Sequence, residues 1–115
     1  MNIGGAAGAA DVVDRQVDAY NAREIDRFLA CYTPNAVVED GHGNVLMRGA
    51  DEIRGEYEPF FRDFPGLHGE IVGRIAVGDW IVDEEQITGW RPEPVRAAVA
   101  YHIADGLIDR VLLLS

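Results

Sequence analysis

The chain has 115 residues, of which 48% are hydrophobic and 26% are charged, so its length and composition fit one folded domain with one core. Its formal net charge is −10. A negative charge of this size repels phosphate backbones and anionic lipids, so we expect neither nucleic acid nor a membrane as a partner, and small neutral or apolar ligands remain open.

The first ten residues, MNIGGAAGAA, are mostly small, and we predict a flexible tail over residues 1–10. They contain neither the basic segment nor the strongly apolar segment of a secretion signal. No apolar run in the chain approaches the roughly 20 residues of a membrane helix. We therefore expect a cytoplasmic protein with a single domain over residues 11–115.

Apolar residues at helical spacing predict two helices in the next part of the chain. The first covers residues 11–21, and Asp11 is its predicted N-cap. The second is short, starts near Ile25 and is predicted to end at Pro34, because proline cannot continue a helix.

Strand formers at 36–38 and turn residues at 41–44 predict a hairpin over residues 36–49, with Glu39 and Asp40 ending its first arm. Successive strand side chains point to opposite faces, so only one of these acids can enter the interior. An Asp40 that points inward with Val38 would have a raised pKa, because an apolar pocket disfavours the charged carboxylate. Such an acid could move protons at neutral pH. The alternative is a solvated acid at a turn.

A third helix is predicted from residue 51 to about residue 62, with Asp51 as its cap and Tyr57 and Phe60 on its inner side. Strands are then predicted at 67–77, 80–90, 95–103 and 107–114, separated by turns. Three helices that lead into one long antiparallel sheet form an α+β layout. In this layout a curled sheet wraps over the helices and leaves a blind pocket between the two layers.

The residue types that the chain lacks exclude several kinds of chemistry. There is no Lys, and Ser115 is the only Ser, so mechanisms with a Schiff base or a serine nucleophile are nearly excluded. Cys31 stands alone, and His42, His68 and His102 have no metal-ligand spacing. Neither a P-loop nor a dinucleotide-binding glycine motif is present. We expect no metal and no cofactor, which leaves carboxylates, tyrosines, histidines and arginines for any catalysis.

A set of residues spread along the chain resembles the nuclear-transport-factor-2-like superfamily. The set comprises Tyr-Asn-Ala-Arg at 20–23, Phe28, Tyr32, the AVVEDG strand at 36–41, Gly49, Ile53 and Tyr57, followed by four strands. Within the superfamily, the chain is most similar to the SnoaL-like and ketosteroid-isomerase-like branch, over residues 11–115. The resemblance implies a cone-shaped α+β fold, in which three N-terminal helices pack on a strongly curved, mostly antiparallel sheet and enclose a pocket.

In ketosteroid isomerases an Asp base moves the proton, while a Tyr and a protonated Asp hold the enolate oxygen. The resemblance implies that Asp40 is the base and that Tyr32 and Tyr57 are supporting tyrosines. The two oxyanion donors correspond to Gln16 and Tyr101 in this sequence. An amide and a phenol can still donate hydrogen bonds, so two neutral donors would survive in altered form.

Alternation along residues 80–88 places Glu84 with Val82 on one face, and Asp83 with Glu85 on the other. The resemblance turns the Glu84 face inward, where Glu84 would be a second acid opposite Asp40. The alternative is that all three acids at 83–85 lie on a solvated rim. The implied catalytic residues are Asp40, Tyr57, Tyr101 and Glu84, and the implied substrate-binding residues are Gln16, Tyr32, Val38, Phe60, Val82 and Val99.

Two functions from different classes follow. The first is a cofactor-free isomerase, dehydratase or cyclase that moves a proton next to the carbonyl of a small apolar substrate. The second is a non-catalytic domain that binds a ligand in the same pocket, or an adaptor that binds a protein through its sheet.

The closing strand predicts a homodimer through the outer face of the sheet. Alternate residues, Leu107, Val111 and Leu113, can fill the pocket side, which leaves Ile108, Leu112 and Leu114 in need of cover.

Overall fold

The computed structural model describes residues 4–114, and the side chains of residues 8–114. Its elements, in chain order, are α1 Gly4–Ala22, α2 Ile25–Leu29, β1 Tyr32–Asp40, β2 Val45–Arg48, α3 Gly49–Asp63, β3 His68–Val77, β4 Trp80–Thr88, β5 Val95–Ala104 and β6 Leu107–Leu113. None of the helices within this described range is both long enough and apolar enough to cross a membrane.

Helix α1 begins earlier than the sequence pattern predicts. It starts at Gly4, so residues 4–10 of the predicted tail are helical, and Asp11 lies inside the helix rather than at its N-cap. Residues 1–3 of that tail lie outside the described residues. Alanine is the strongest helix former, and Ala9 is buried in the core, so this small-residue segment extends the helix.

The connection between α2 and β1 also differs from the prediction. Helix α2 ends at Leu29, and Pro34 lies within β1 rather than ending the helix. The pairing of β1 with β6 shifts register between Tyr32 and Val37. Proline has no backbone N–H to donate to a neighbouring strand, so an irregular stretch of pairing is the expected place for it.

Helix α3 starts at Gly49, which has a φ of 78°, and Asp51 is not its N-cap. The carboxylate of Glu52 instead reaches back and accepts a hydrogen bond of 2.8 Å from the backbone N–H of Arg48. A carboxylate at this end also interacts favourably with the positive end of the helix dipole.

The six strands form one curved, unclosed sheet in the order β2-β1-β6-β5-β4-β3. Strands β1 and β6 pair in parallel, and the other neighbours pair antiparallel. The helices pack on the concave side and bury a core that includes Val12, Phe28 and Ile53. The predicted α+β fold is confirmed.

The C-terminal part of α1 is fastened to the edge strand β3 by an amide clamp. Asn21 Nδ2 donates to the carbonyl of Gly69 over 2.9 Å, and the N–H of Gly69 donates to Asn21 Oδ1 over 2.7 Å. Arg23 Nη1 adds bonds of 2.9 Å to the carbonyls of Asn21 and Leu67. The clamp sets the position of α1 relative to β3 at one wall of the fold.

Asn21→Ala should therefore lower the free energy of unfolding by about 1–3 kcal/mol, since two partly buried backbone groups lose their partner. Urea denaturation measures this loss. Asn35→Ala is the control, because Asn35 is exposed and its side chain makes no hydrogen bond to the described residues. Equal effects of the two substitutions would contradict the assigned role of the clamp.

Candidate functional site

A cavity of about 510 Å³ lies between the helices and the concave side of the sheet. Its walls are largely apolar and aromatic. The residues that line it are Gln16, Val17, Tyr20, Phe28, Tyr32, Met47, Glu56, Tyr57, Phe60, Gly69, Ile71, Glu85, Ile87, Trp90, Val95, Arg96, Ala97, Val99, Tyr101, Val111 and Leu113.

Aromatic rings form a continuous wall on the helix side. Phe28 from α2 packs against Tyr57 from α3, with ring centroids 4.8 Å apart. Phe60 continues this wall and forms a T-shaped pair with Trp90, which follows β4, with ring centroids 5.5 Å apart. A wall of this kind suits a ligand with flat apolar surfaces.

Glu85 from β4 is the partly buried carboxylate among the described residues that line the cavity; the other acid, Glu56, is exposed. Tyr101 Oη donates a hydrogen bond of 2.9 Å to Glu85 Oε2. Burial raises the pKa of Glu85, and the Tyr101 hydrogen bond offsets part of this effect. The site thus holds an acid whose pKa is higher than that of an ordinary glutamate.

Three further tyrosines place their side chains around the same cavity. The hydroxyls of Tyr20, Tyr32 and Tyr57 have no hydrogen-bond partner within residues 8–114. Burial raises the pKa of Tyr57 to about 12, with Glu85 as the next cause, and raises the pKa of Tyr32 well above its usual value. These phenols therefore stay neutral at physiological pH and can donate hydrogen bonds to a ligand.

Gln16 from α1 completes the polar part of the cavity. Its side chain is buried, with 4% of the residue exposed, and its Oε1 has no hydrogen-bond partner among the described residues. A buried amide oxygen without a partner costs about 1–3 kcal/mol. A ligand with an N–H or O–H donor would remove this cost.

An ion-pair network supports β4 beside Glu85. Asp83 is completely buried and accepts two hydrogen bonds from Arg74, of 2.6 Å from Nε and 2.9 Å from Nη2. Arg74 Nη1 also donates to Asp14 on α1 over 2.8 Å. The Asp83 charge raises the pKa of Glu85 and the Arg74 charge lowers it.

Asp40, the predicted base, is not part of the cavity lining and its side chain belongs to the hairpin turn. Its Oδ1 accepts hydrogen bonds from the N–H groups of His42 and Asn44 over 2.8 and 2.9 Å, and its Oδ2 accepts one from Asn44 Nδ2 over 2.8 Å. The Asn44 hydrogen bonds lower the pKa of Asp40, whereas the prediction required a raised pKa. The position of Asp40 in the turn therefore differs from the inward, apolar environment that the prediction gave it.

Asp40→Ala should lower the thermal midpoint of the protein at pH 7, because three hydrogen bonds of the turn are lost. The pKa of Asp40 is lowered on folding, so its stabilising effect is present at neutral pH and disappears as the pH falls through that lowered pKa. Thermal melts of both proteins from pH 7 downwards measure the difference. Asp79→Ala, an exposed aspartate in the β3–β4 turn, is the control. A stabilised Asp40→Ala would contradict the turn role.

Glu84 also lies elsewhere than predicted. It points to the outer face of the sheet, where it is exposed and forms an ion pair with Arg96. Val82 lies on the same outer face, and Val38 is buried in the core without lining the cavity. The inward face of β4 is the one that carries Ile81, Asp83 and Glu85, because Ile81 and Asp83 are fully buried.

Six predicted site residues do come together. Gln16, Tyr32, Tyr57, Phe60, Val99 and Tyr101 line the cavity. Sequence reasoning missed Glu85 and Tyr20. A signal for Glu85 existed, since its face of β4 carries Ile81 and Ile87 and is more apolar than the face that carries Glu84.

No group of three or more His, Cys, Asp or Glu side chains within the described part of the chain could hold a metal ion.

Comparison with known proteins assigns this chain to a family. Residues 13–111 match the family model of the SnoaL-like domain. The chain belongs to the SnoaL-like domain family. No curated protein matches this SnoaL-like chain.

Solved structures share its fold. An uncharacterised cystatin-fold protein from Novosphingobium aromaticivorans is 23% identical, with 93% of this chain and 97% of that chain covered and a TM-score of 0.84. A protein named as a candidate polyketide cyclase, from Sinorhizobium meliloti, is 25% identical, with coverages of 90% and 93% and a TM-score of 0.78. One named as a candidate ketosteroid isomerase, from Kribbella flavida, is 18% identical, with coverages of 94% and 77% and a TM-score of 0.77.

Proposed function

We propose that this SnoaL-like chain is a cofactor-free enzyme that moves a proton next to the carbonyl of a small, largely apolar compound, with Glu85 as the base. The observation that carries the proposal is the position of Glu85, a carboxylate in an apolar cavity whose pKa burial raises. A base is most effective when its pKa lies near the working pH.

Removal of a proton next to a carbonyl places negative charge on the carbonyl oxygen, and neutral donors near that oxygen lower the barrier. Tyr57 and Tyr32 supply hydroxyls on the cavity wall that have no hydrogen-bond partner among the described residues. Their raised pKa values keep both groups protonated, so they can donate to the enolate oxygen without giving up their protons. We assign the carbonyl oxygen of the substrate to these donors.

Tyr101 has a different part in the proposal. It already donates to Glu85 Oε2, so it orients the carboxylate and leaves Oε1 for the substrate proton. Isomerisation, dehydration and aldol-type cyclisation all begin with this proton transfer. The names of two similar structures, a candidate polyketide cyclase and a candidate ketosteroid isomerase, support this range of reactions because both names denote ketone substrates.

The test is exchange of the protons next to the carbonyl of 2-tetralone in D2O, followed by NMR. We expect the protein to accelerate exchange over buffer, with a rate that rises with pH as Glu85 ionises and then levels off. Exchange no faster than in buffer at every pH would contradict the proposal. So would acceleration that Tyr57→Phe and Tyr32→Phe together leave unchanged.

The second candidate function, a protein-binding role for the sheet, is favoured by an apolar patch on the outer face of β3 and β4. Ile75 and Val77 on β3 are 63% and 68% exposed, and they pair across the sheet with Val82 and Trp80. Ile108 does not belong to this face, because a register shift between His102 and Ile103 turns it into the core.

We expect a homodimer through this outer face, because a second copy would cover the exposed side chains. Ile75→Glu should convert the dimer to a monomer, measured by sedimentation at micromolar concentration. Val45→Glu is the control, since Val45 is exposed on the opposite edge strand β2. A wild-type protein that is monomeric at these concentrations would contradict the prediction.

A further inference from the structure

The cavity contains a carboxylate that has no cationic partner in the part of the chain that the structure describes. The hydrogen bond to Glu85 comes from the neutral Tyr101, and no ion pair within residues 8–114 includes Glu85. The guanidinium of Arg74, whose charge acts on Glu85, is shared between the carboxylates of Asp83 and Asp14, so that network carries one net negative charge. Ionised Glu85 therefore has no counter-ion of its own among these described residues.

The cation at the cavity rim does not fill this role. Arg96 lines the cavity, but its guanidinium pairs with Glu84 and also donates to Gln86 on the outer face. Glu56 on the same lining adds a further acid. With the net charge of −10 on the whole chain, the entrance favours the approach of cations over anions.

The other groups of the cavity also suit a cation. Seven of its lining side chains are aromatic, and the faces of such rings attract ammonium groups, most strongly when the cation is desolvated. Gln16 presents a buried oxygen that receives no hydrogen bond from the described residues. An ammonium N–H can satisfy this oxygen, and the ammonium charge can pair with the carboxylate of Glu85.

We infer that the cavity binds lipophilic amines in their protonated form, with Glu85 as the counter-ion, Gln16 Oε1 as a neutral acceptor and the aromatic wall around the apolar part of the ligand. This binding does not require the proton transfer proposed above. Because the ammonium group occupies the carboxylate, such an amine would compete with a carbonyl compound for the cavity.

A matched pair of probes tests the inference. Naphthalen-2-ylmethylamine is a cation at pH 7, and naphthalen-2-ylmethanol has nearly the same shape and is neutral. We expect calorimetry to show at least tenfold tighter binding of the amine. Equal binding of the two probes, tighter binding of the alcohol, or binding of neither would overturn the inference.

Two substitutions on β4 locate the effect. Glu85→Gln should remove the preference for the amine and leave the affinity for the alcohol within a few-fold. Glu84→Gln removes the same charge from the neighbouring residue on the outer face and should keep the preference. Circular dichroism and thermal melts establish that both variants fold. A preference that survives in folded Glu85→Gln would overturn the inference.

The pH dependence adds a readout that shape alone would not produce. Over a range in which the amine stays protonated, its affinity should fall on acidification as Glu85 takes up a proton, while that of the alcohol stays constant. Amine binding without any ketone exchange would leave this inference standing and remove only the proposed proton transfer. Ketone exchange in a protein with no preference for the amine would support the proposed proton transfer and overturn this inference.

Discussion

Glu85→Gln should slow the exchange of protons from a ketone probe by about 100-fold or more, because a positioned general base typically contributes about 10²–10⁴-fold. The amide of Gln has the shape of the carboxylate and can still accept the hydrogen bond from Tyr101, but it cannot take up a proton at neutral pH. NMR of 2-tetralone in D2O, with both proteins at the same concentration, measures the change. A Glu85→Gln protein that keeps its exchange rate would exclude Glu85 as the base.

The stability of this variant separates loss of chemistry from loss of structure. Folding raises the pKa of Glu85, so the acid favours the folded state most below its unfolded pKa, and this contribution is lost as the pH rises through the folded pKa. At pH 7 the ionised group therefore costs stability, and Glu85→Gln should be at least as stable as the wild type. Glu84→Gln is the matched control and should keep the exchange rate.

Arg74→Met should destabilise the protein by about 3–5 kcal/mol, since it leaves Asp83 as an unpaired buried charge. Asp83 lies within the sheet, where the bidentate guanidinium supplies both of its side-chain hydrogen bonds. Urea denaturation at pH 7 gives the free energies. A loss below about 1 kcal/mol, the size of an exposed ion pair, would show that water reaches Asp83.

Arg54→Met is the control for the loss of an arginine. Arg54 pairs with Asp26 and Glu58 in exposed positions, so its replacement should change stability little. Arg74→Met combined with Asp83→Leu should recover most of the lost stability, because the second change removes the unpaired charge. If the double variant is no more stable than Arg74→Met alone, the loss stems from packing and not from charge.

Asp40 illustrates where local sequence patterns stop being informative. Its position at the end of a predicted strand is confirmed, since β1 ends at Asp40 and a turn follows. Whether its carboxylate points to the interior or closes the turn is decided by which donors lie within reach. Asn44, four residues later, donates hydrogen bonds from both its backbone N–H and its side-chain amide. The carboxylate of Asp40 is therefore held in the turn and does not enter the interior.

Strand β4 shows that the local sequence pattern also cannot say which face of a strand points into the cavity. Period-two alternation separates Glu84 from Glu85, but it does not say which of them meets the helices. The register decides: Ile81 lies opposite Tyr101 and Glu85 lies opposite Ala97, and these partners on β5 face the cavity. The resemblance to the superfamily implied the opposite face, whereas the greater apolarity of the Ile81 and Ile87 side indicated the correct one.

The sequence by itself determined the α+β fold, the hairpin turn, the aromatic inner side of α3 and the absence of lysine chemistry, because these depend on residue types and on their spacing along the chain. The tertiary structure alone decided which carboxylate enters the cavity. Glu85 and Asp40 are both acids that lie in β-strands, but the pKa of Glu85 rises on folding and the pKa of Asp40 falls. Burial and hydrogen-bond donors set those directions, and for Glu85 both come from groups distant in the sequence, which meet only when the sheet curves over the helices.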